Sequence, residues 1–125
     1  MQERWTQELA DFLRFCVSER RLAPMTCSAY ERDVSACLDY LQGQGIEDLG
    51  EVRVTHLRAF LAEEQKRRPA PSSQARTVAA LKGFFRFLVE NEEIERNPAQ
   101  VLRTPKKRDA LPDVLDSREL VGQRS

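Results

Sequence analysis

Apolar residues recur along this chain at helical spacing, in four runs separated by short breaks. The first run is Trp5, Leu9, Phe12, Leu13, Cys16 and Val17. It draws one stripe along a helix from about Gln2 to Arg20. Arg20 and Arg21 suit the negative pole of that helix, and Pro24 disfavours helical backbone at Ala23. A second helix is predicted from about Thr26 to Gln42, with the Thr26 hydroxyl as its N-cap. Its stripe is Ala29, Tyr30, Val34, Cys37, Leu38 and Leu41, and Gly43 and Gly45 supply a left-handed stop.

Residues Ile46 to Arg53 read as a loop anchored by Ile46, Leu49 and Val52. The third helix is expected to start at Thr55 as N-cap, with Val54 stapled onto Ala59. Leu57, Phe60 and Leu61 form its inner face, and Arg68-Pro69-Ala70-Pro71 ends it. The fourth should run from Ser72 or Ser73 to about Glu90, burying Val78, Leu81, Phe84, Phe85 and Leu88, with Phe87 widening the stripe. Asn97-Pro98 pairs a cap with a first-position proline, predicting a short fifth helix to about Leu102. Residues 104–110 hold Pro105, Lys106, Lys107 and Arg108 without periodicity and read as a basic linker. Residues 111–125 read as the start of something else. No strand alternation, internal repeat or low-complexity tract is visible. The prediction is an all-α compact bundle, four main helices plus a short fifth, over residues 1–103.

A chain of 125 residues, 41% hydrophobic, can bury a core without disulfide staples. No stretch approaches the ~20 apolar residues of a membrane span, and Met1 to Trp5 lack a signal-peptide core. Cys16, Cys27 and Cys37 are odd in number and lie inside the helical patterns, so packed thiols in a reduced, cytoplasmic chain are expected. Formal net charge is zero. Residues 1–50, however, hold five Lys/Arg against nine Asp/Glu, whereas 66–108 hold eleven against four. Such a field can turn one face towards an anion. Solvated helix faces are the alternative that charge alone leaves open.

Enzyme chemistry finds little support. There is no glycine-rich phosphate loop and no nucleophile–base pairing. His56, the only histidine, has no partner at ligand spacing, so no metal or small-molecule cofactor is expected. Tyr30 falls on an apolar stripe and is expected at the core or its edge. On the fourth helix Ser72, Ala79, Lys82 and Arg86 share one face, and Arg76 with Ala80 and Gly83 lies on an adjoining one. Small residues between cations let a helix approach a nucleic-acid backbone, and hydroxyls at its start can meet phosphate oxygens. Spacing alone leaves these residues open to being a solvated amphipathic face.

The order of these elements and their residues resembles the N-terminal core-binding, SAM-like domain of Xer-type tyrosine recombinases and phage integrases. The resemblance is carried by Leu22-Ala23-Pro24-Met25-Thr26 ahead of Tyr30-Glu31-Arg32-Asp33-Val34, and by the run from Ser72 to Leu88. Asn97-Pro98-Ala99, Pro105-Lys106-Lys107 and Leu111-Pro112-Asp113-Val114-Leu115 follow in the family's order. Together they cover about residues 3 to 120.

The resemblance implies a module that clasps one side of double-stranded DNA, with its second and fourth helices addressing the major groove, in site-specific recombination. It implies DNA contact by Ser72, Ser73, Arg76, Lys82 and Arg86, by Thr26, Ser28 and Arg32 on the second helix, and by the linker residues Lys106, Lys107 and Arg108. Other recombinase protomers are implied as further partners. The family's catalytic arginines and late nucleophilic tyrosine have no counterpart here, so residues 111–125 read as the truncated start of a missing catalytic domain. No catalytic residue is expected in this chain. The competing reading is a helical protein-interaction domain, with Trp5 and the 111–120 segment as contacts, or a remnant without function.

Overall fold

In the computed structural model, which describes residues 2–103, four α-helices follow one another: α1 (Glu3–Ser18), α2 (Pro24–Gly43), α3 (Val54–Arg67) and α4 (Pro71–Glu90). No strand occurs among the described residues. Helix α2 packs against the other three, most extensively against α4.

The stripes read from the sequence are the buried ones. Trp5, Leu9, Phe12 and Cys16 of α1 meet Val34, Cys37, Leu38 and Leu41 of α2 and Val78, Leu81, Phe84, Phe85 and Leu88 of α4 in one core. Phe12 lies edge-on to Phe84 with ring centroids 5.5 Å apart, and Phe15 lies 5.2 Å from Phe87. Such aromatic pairs add to simple area burial. Tyr30 is buried as expected, at the rim of this core. Val17 departs from its stripe and is 58% exposed. Its neighbour Cys16, in the same last turn of α1, is fully buried, so the buried stripe there is narrower than the pattern predicts.

Helix starts follow proline rather than the threonine and serine caps. Helix α2 begins at Pro24 with Ala23 as N-cap, and α4 begins at Pro71 with Ala70 as N-cap. A proline at the first helical position loses no hydrogen bond, and its φ is already helical. Thr26, Ser72 and Ser73 therefore sit inside the first turns rather than at the caps. Thr55 is likewise inside α3, whose N-cap is Arg53. The Arg53 backbone N–H donates to His56 Nδ1 at 3.0 Å, which gives the lone histidine a capping role.

Helix ends follow backbone geometry. Gly45, at φ +88°, and Ile46 donate their N–H groups to the Gln42 and Leu41 carbonyls, both at 3.1 Å. This is the left-handed closure that the glycines predict. At the end of α4 the same closure is made by Glu92, at φ +61°, with the Glu93 N–H donating to the Leu88 carbonyl at 2.8 Å. A 3-10 turn over Leu49–Glu51 interrupts the 46–53 loop, and Ile46, Leu49 and Val52 anchor it in the core as expected.

The segment after Asn97 forms hydrogen-bonded turns instead of a fifth helix. Asn97 Oδ1 accepts from the Ala99 N–H at 2.8 Å, as a cap would. Leu102 N–H then donates to the Ala99 carbonyl, three residues back. Buried Ala99 and Leu102 pin the turn to the bundle, and that anchoring occupies the residues that a continuing helix would have to rotate.

Candidate nucleic-acid interface

Helix α4 turns one side to the core and the other to an open groove. Gln74, Thr77, Val78, Ala80, Leu81, Phe84, Phe85 and Leu88 are buried. Ala79, Lys82, Gly83 and Arg86 line the groove, whose volume is about 1070 Å³. Its walls are the end of α1 with Phe15, the following turn with Arg20, and the turn segment 95–101 with Arg96, Asn97 and Val101. Four cations, Arg20, Lys82, Arg86 and Arg96, stand against two carboxylates, Glu90 and Glu95. Arg86 Nε donates to Glu90 Oε2 at 3.2 Å, but both side chains are more than half exposed. A pair of that kind is held weakly and can be exchanged for another anion. Lys82, Arg20 and Arg96 take part in no ion pair among the described residues.

Arg76 is placed differently from the other predicted residues. Its Nε and Nη2 donate to Asp33 Oδ2 and Oδ1 at 2.8 and 3.0 Å. The Asp33 side chain is only 2% exposed, that of Arg76 31%. The hydrogen bonds to Asp33 hold the Arg76 guanidinium even more firmly protonated than usual. Arg68 Nη1 approaches the same carboxylate at 4.0 Å. The bidentate bond joins the middle of α2 to the first half of α4, the two helices implicated in DNA binding. Arg76 is thereby part of the frame, and of the small residues placed beside it by spacing Ala80 is fully buried, while half-buried Gly83 lines the groove next to Phe12 and Arg20. Arg32 is exposed, one residue along from the buried carboxylate.

Of the remaining predicted residues, Lys82 and Arg86 share the groove. Ser72 is exposed and Ser73 half-buried in the first turn of α4, where the Ser73 carbonyl accepts from Thr77 Oγ1 at 2.9 Å. Thr26 is half-buried and Ser28 exposed in the first turns of α2, outside the groove lining. Lys106, Lys107 and Arg108 lie outside the described residues, as do the 104–110 linker and the 111–125 segment. Arg20, Arg96 and Asn97 were missed by sequence reasoning. Arg20 read as a helix-dipole residue, and no local pattern marks Arg96 as a wall.

The rest of the surface offers little other chemistry. Among the described residues no cluster of three or more His, Cys, Asp or Glu is arranged to hold a metal ion. The three cysteines are free and buried, and burial pushes the Cys37 and Cys16 thiols up from their ordinary value. Trp5, the expected contact of an interaction domain, is 1% exposed and belongs to the core. No described helix is long and apolar enough to cross a membrane.

Most of the bundle, with the α4 side of the groove, lies within a matched family. Residues 9–92 match the family described as phage integrase, N-terminal SAM-like domain. The chain belongs to that family. Among curated relatives, this SAM-like domain is 34% identical over 110 residues to tyrosine recombinase XerC of Xanthomonas campestris pv. campestris (strain B100), covering 88% of this chain and 34% of the relative. It is 32% identical over 111 residues to tyrosine recombinase XerC of Pseudomonas syringae pv. tomato, covering 89% of this chain and 37% of the relative. It is 36% identical over 108 residues to tyrosine recombinase XerC of Bifidobacterium longum (strain DJO10A), covering 86% of this chain and 30% of the relative. The SAM-like chain thus spans about a third of the length of these relatives. No solved structure matches it significantly. The family match stops at residue 92, so the groove wall at 95–101 lies beyond it.

Proposed function

We propose that this chain is the duplex-DNA-gripping module of a tyrosine recombinase, acting in site-specific recombination without catalytic residues of its own. One observation carries the reading: Lys82 and Arg86 face an open groove on α4 whose walls add Arg20 and Arg96. Separated cations on a helix, with small Ala79 beside Lys82, suit a phosphate backbone approaching closely. Membership of the SAM-like family and the relatives' name supply the biological setting. The partners are double-stranded DNA and other recombinase protomers, in the cytoplasm, and no cofactor is required.

Most of the affinity comes from phosphate contact, with modest base readout from α2, through Ser28 and Arg32, and from α4. Ser72, Ser73 and Thr26 contribute at the helix starts. Selection of bound duplexes from a random-sequence pool at low salt, followed by release as salt rises, tests the reading. Enrichment of a motif establishes sequence reading, and salt-sensitive retention without a motif establishes backbone binding alone. No retention at low salt overturns the proposal. Replacing Lys82 and Arg86 together with alanine should flatten the salt dependence by about 2 in log–log slope. An unchanged slope would rule out this face.

A further inference from the structure

Gly83 stands in the interior of a 20-residue helix, where glycine is less favourable than alanine. Its φ is not in the left-handed region, so the backbone does not require it. What occupies the missing side chain's place is another residue's charge. A Cβ on Gly83 would lie 3.0 Å from Arg20 Nη1, and 3.4 Å from Phe12 Cζ. The Arg20 guanidinium therefore rests against α4 at Gly83, between positions 82 and 86, although it comes from the turn that follows α1. It makes no ion pair among the described residues, unlike Arg86, Arg76 and Arg14. A carboxylate beside it would account for its position, but the groove's acids lie elsewhere, with Glu90 on Arg86.

We propose that Arg20 is a phosphate contact of the duplex-binding face, delivered across α4 through the gap that Gly83 leaves. This rests on the DNA-binding reading above and adds to it a residue from the turn after α1. The planar guanidinium matches phosphate oxygens two at a time. Seated on the glycine, it is held at the height of Lys82 and Arg86 instead of trailing in solvent. The turn after α1 is then coupled to α4, since one phosphate held by Arg20 and Lys82 bridges them.

The experiment uses the full chain and a labelled random-sequence duplex, with dissociation constants measured across a salt series. Arg20→Ala should weaken binding several-fold at low salt and make the log–log salt slope shallower by about 0.9, one phosphate contact. Gly83→Ala asks the guanidinium to give by a few tenths of an ångström and should lose part of that affinity. Gly83→Met fills the seat and should lose as much as Arg20→Ala. Adding Gly83→Met to Arg20→Ala should cost nothing further, because the two act through one contact. Arg14→Ala, on the outer side of α1, is the control and should bind as the parent does. An Arg20→Ala variant with the parent's affinity and slope overturns the inference while leaving the DNA reading intact. A Gly83→Met loss that persists undiminished in the Arg20→Ala background overturns the seat. Failure of the parent chain to bind any duplex removes the DNA reading and this inference together.

Discussion

Removing Arg76 should cost the fold far more than removing any other basic residue of α4. Its guanidinium is the bidentate partner of Asp33, whose side chain is 2% exposed. Arg76→Ala leaves that carboxylate inside the bundle with only Arg68, at 4.0 Å, as compensation. Orphaning one member of a buried pair typically costs ~3–5 kcal/mol. The Arg76 side chain is itself 31% exposed, so water can partly replace it, and the value should fall to about 2–4 kcal/mol. For a domain of this size, that lowers the melting temperature by roughly 10–20 °C.

Urea unfolding followed by circular dichroism reads the loss as a lower midpoint at unchanged slope. The paired variant Asp33→Asn with Arg76→Gln separates charge burial from packing. Neutralising both partners removes the orphaned charge, so the double variant should be more stable than Arg76→Ala alone. An Arg76→Ala variant within about 0.5 kcal/mol of the parent would refute the reasoning, because a buried carboxylate cannot lose its partner so cheaply. The same result bears on binding assays. A loss of DNA affinity in Arg76→Ala counts as a contact only if it exceeds what the unfolded fraction explains.

Two further perturbations test other parts of the structure. Burial first, and then a hydrogen bond with Glu93, raise the Glu8 carboxyl from 4.5 to about 7, with Arg4 opposing and Asp48 reinforcing the shift. The folded state then holds this proton more tightly than the unfolded chain, so the contribution is complete below pH 4.5 and lost as pH rises through 7. Glu8→Gln should therefore abolish that part of the pH dependence and melt higher than the parent at pH 8; a lower melting temperature there would contradict it. At the end of α4, Glu92 holds φ at +61°, where a side chain is strained and glycine is not. Glu92→Gly should raise stability by about 0.5–1 kcal/mol in urea unfolding, and a decrease would show that the Glu92 side chain earns its place by a contact.

The core was legible in the sequence wherever periodicity alone decides burial. Trp5, Leu9, Phe12 and Cys16 are buried at steps of four, three and four, and the α2 and α4 stripes close on them. Helix starts were misread because two local rules compete at the same place. Thr26 and Ser72 are good caps in isolation, yet Pro24 and Pro71 each stand one or two residues earlier at a position they fit without loss. The fifth helix failed for a tertiary reason, the anchoring of Ala99 and Leu102. The candidate site divides in the same way. Lys82 and Arg86 could be placed on one face by helical spacing. Whether Arg76 faced solvent or a carboxylate depended on Asp33, 43 residues away, and Arg20 reaches the groove through a contact that no spacing rule encodes. The one sequence signal for it was the glycine inside a helix.

A chain of zero net charge can still grip a polyanion if its cations are sorted by place. Of the basic residues counted in the 66–108 stretch, Arg76 and Arg68 lie against Asp33, and Arg67 bonds the buried Glu64 carboxylate at 3.0 Å. Arg76 ties α2 to α4, and Arg67 is held within α3, so both are committed to pairs inside the fold. The groove keeps Arg20, Lys82, Arg86 and Arg96, diluted by Glu90 and Glu95. On the proposed reading, the groove neutralises at most four phosphates. The expected log–log salt slope is then no steeper than about −3.6, and affinity falls by at most about two orders of magnitude between 50 and 200 mM salt. So small a footprint cannot by itself hold a unique site against a genome of competing duplex. High affinity in recombination must then come from linkage to further DNA-contacting parts, through effective concentration. A slope much steeper than −4 that persists when Arg32, Lys106, Lys107 and Arg108 are replaced with alanine would contradict that division of labour, because it would require still other phosphate contacts outside the groove.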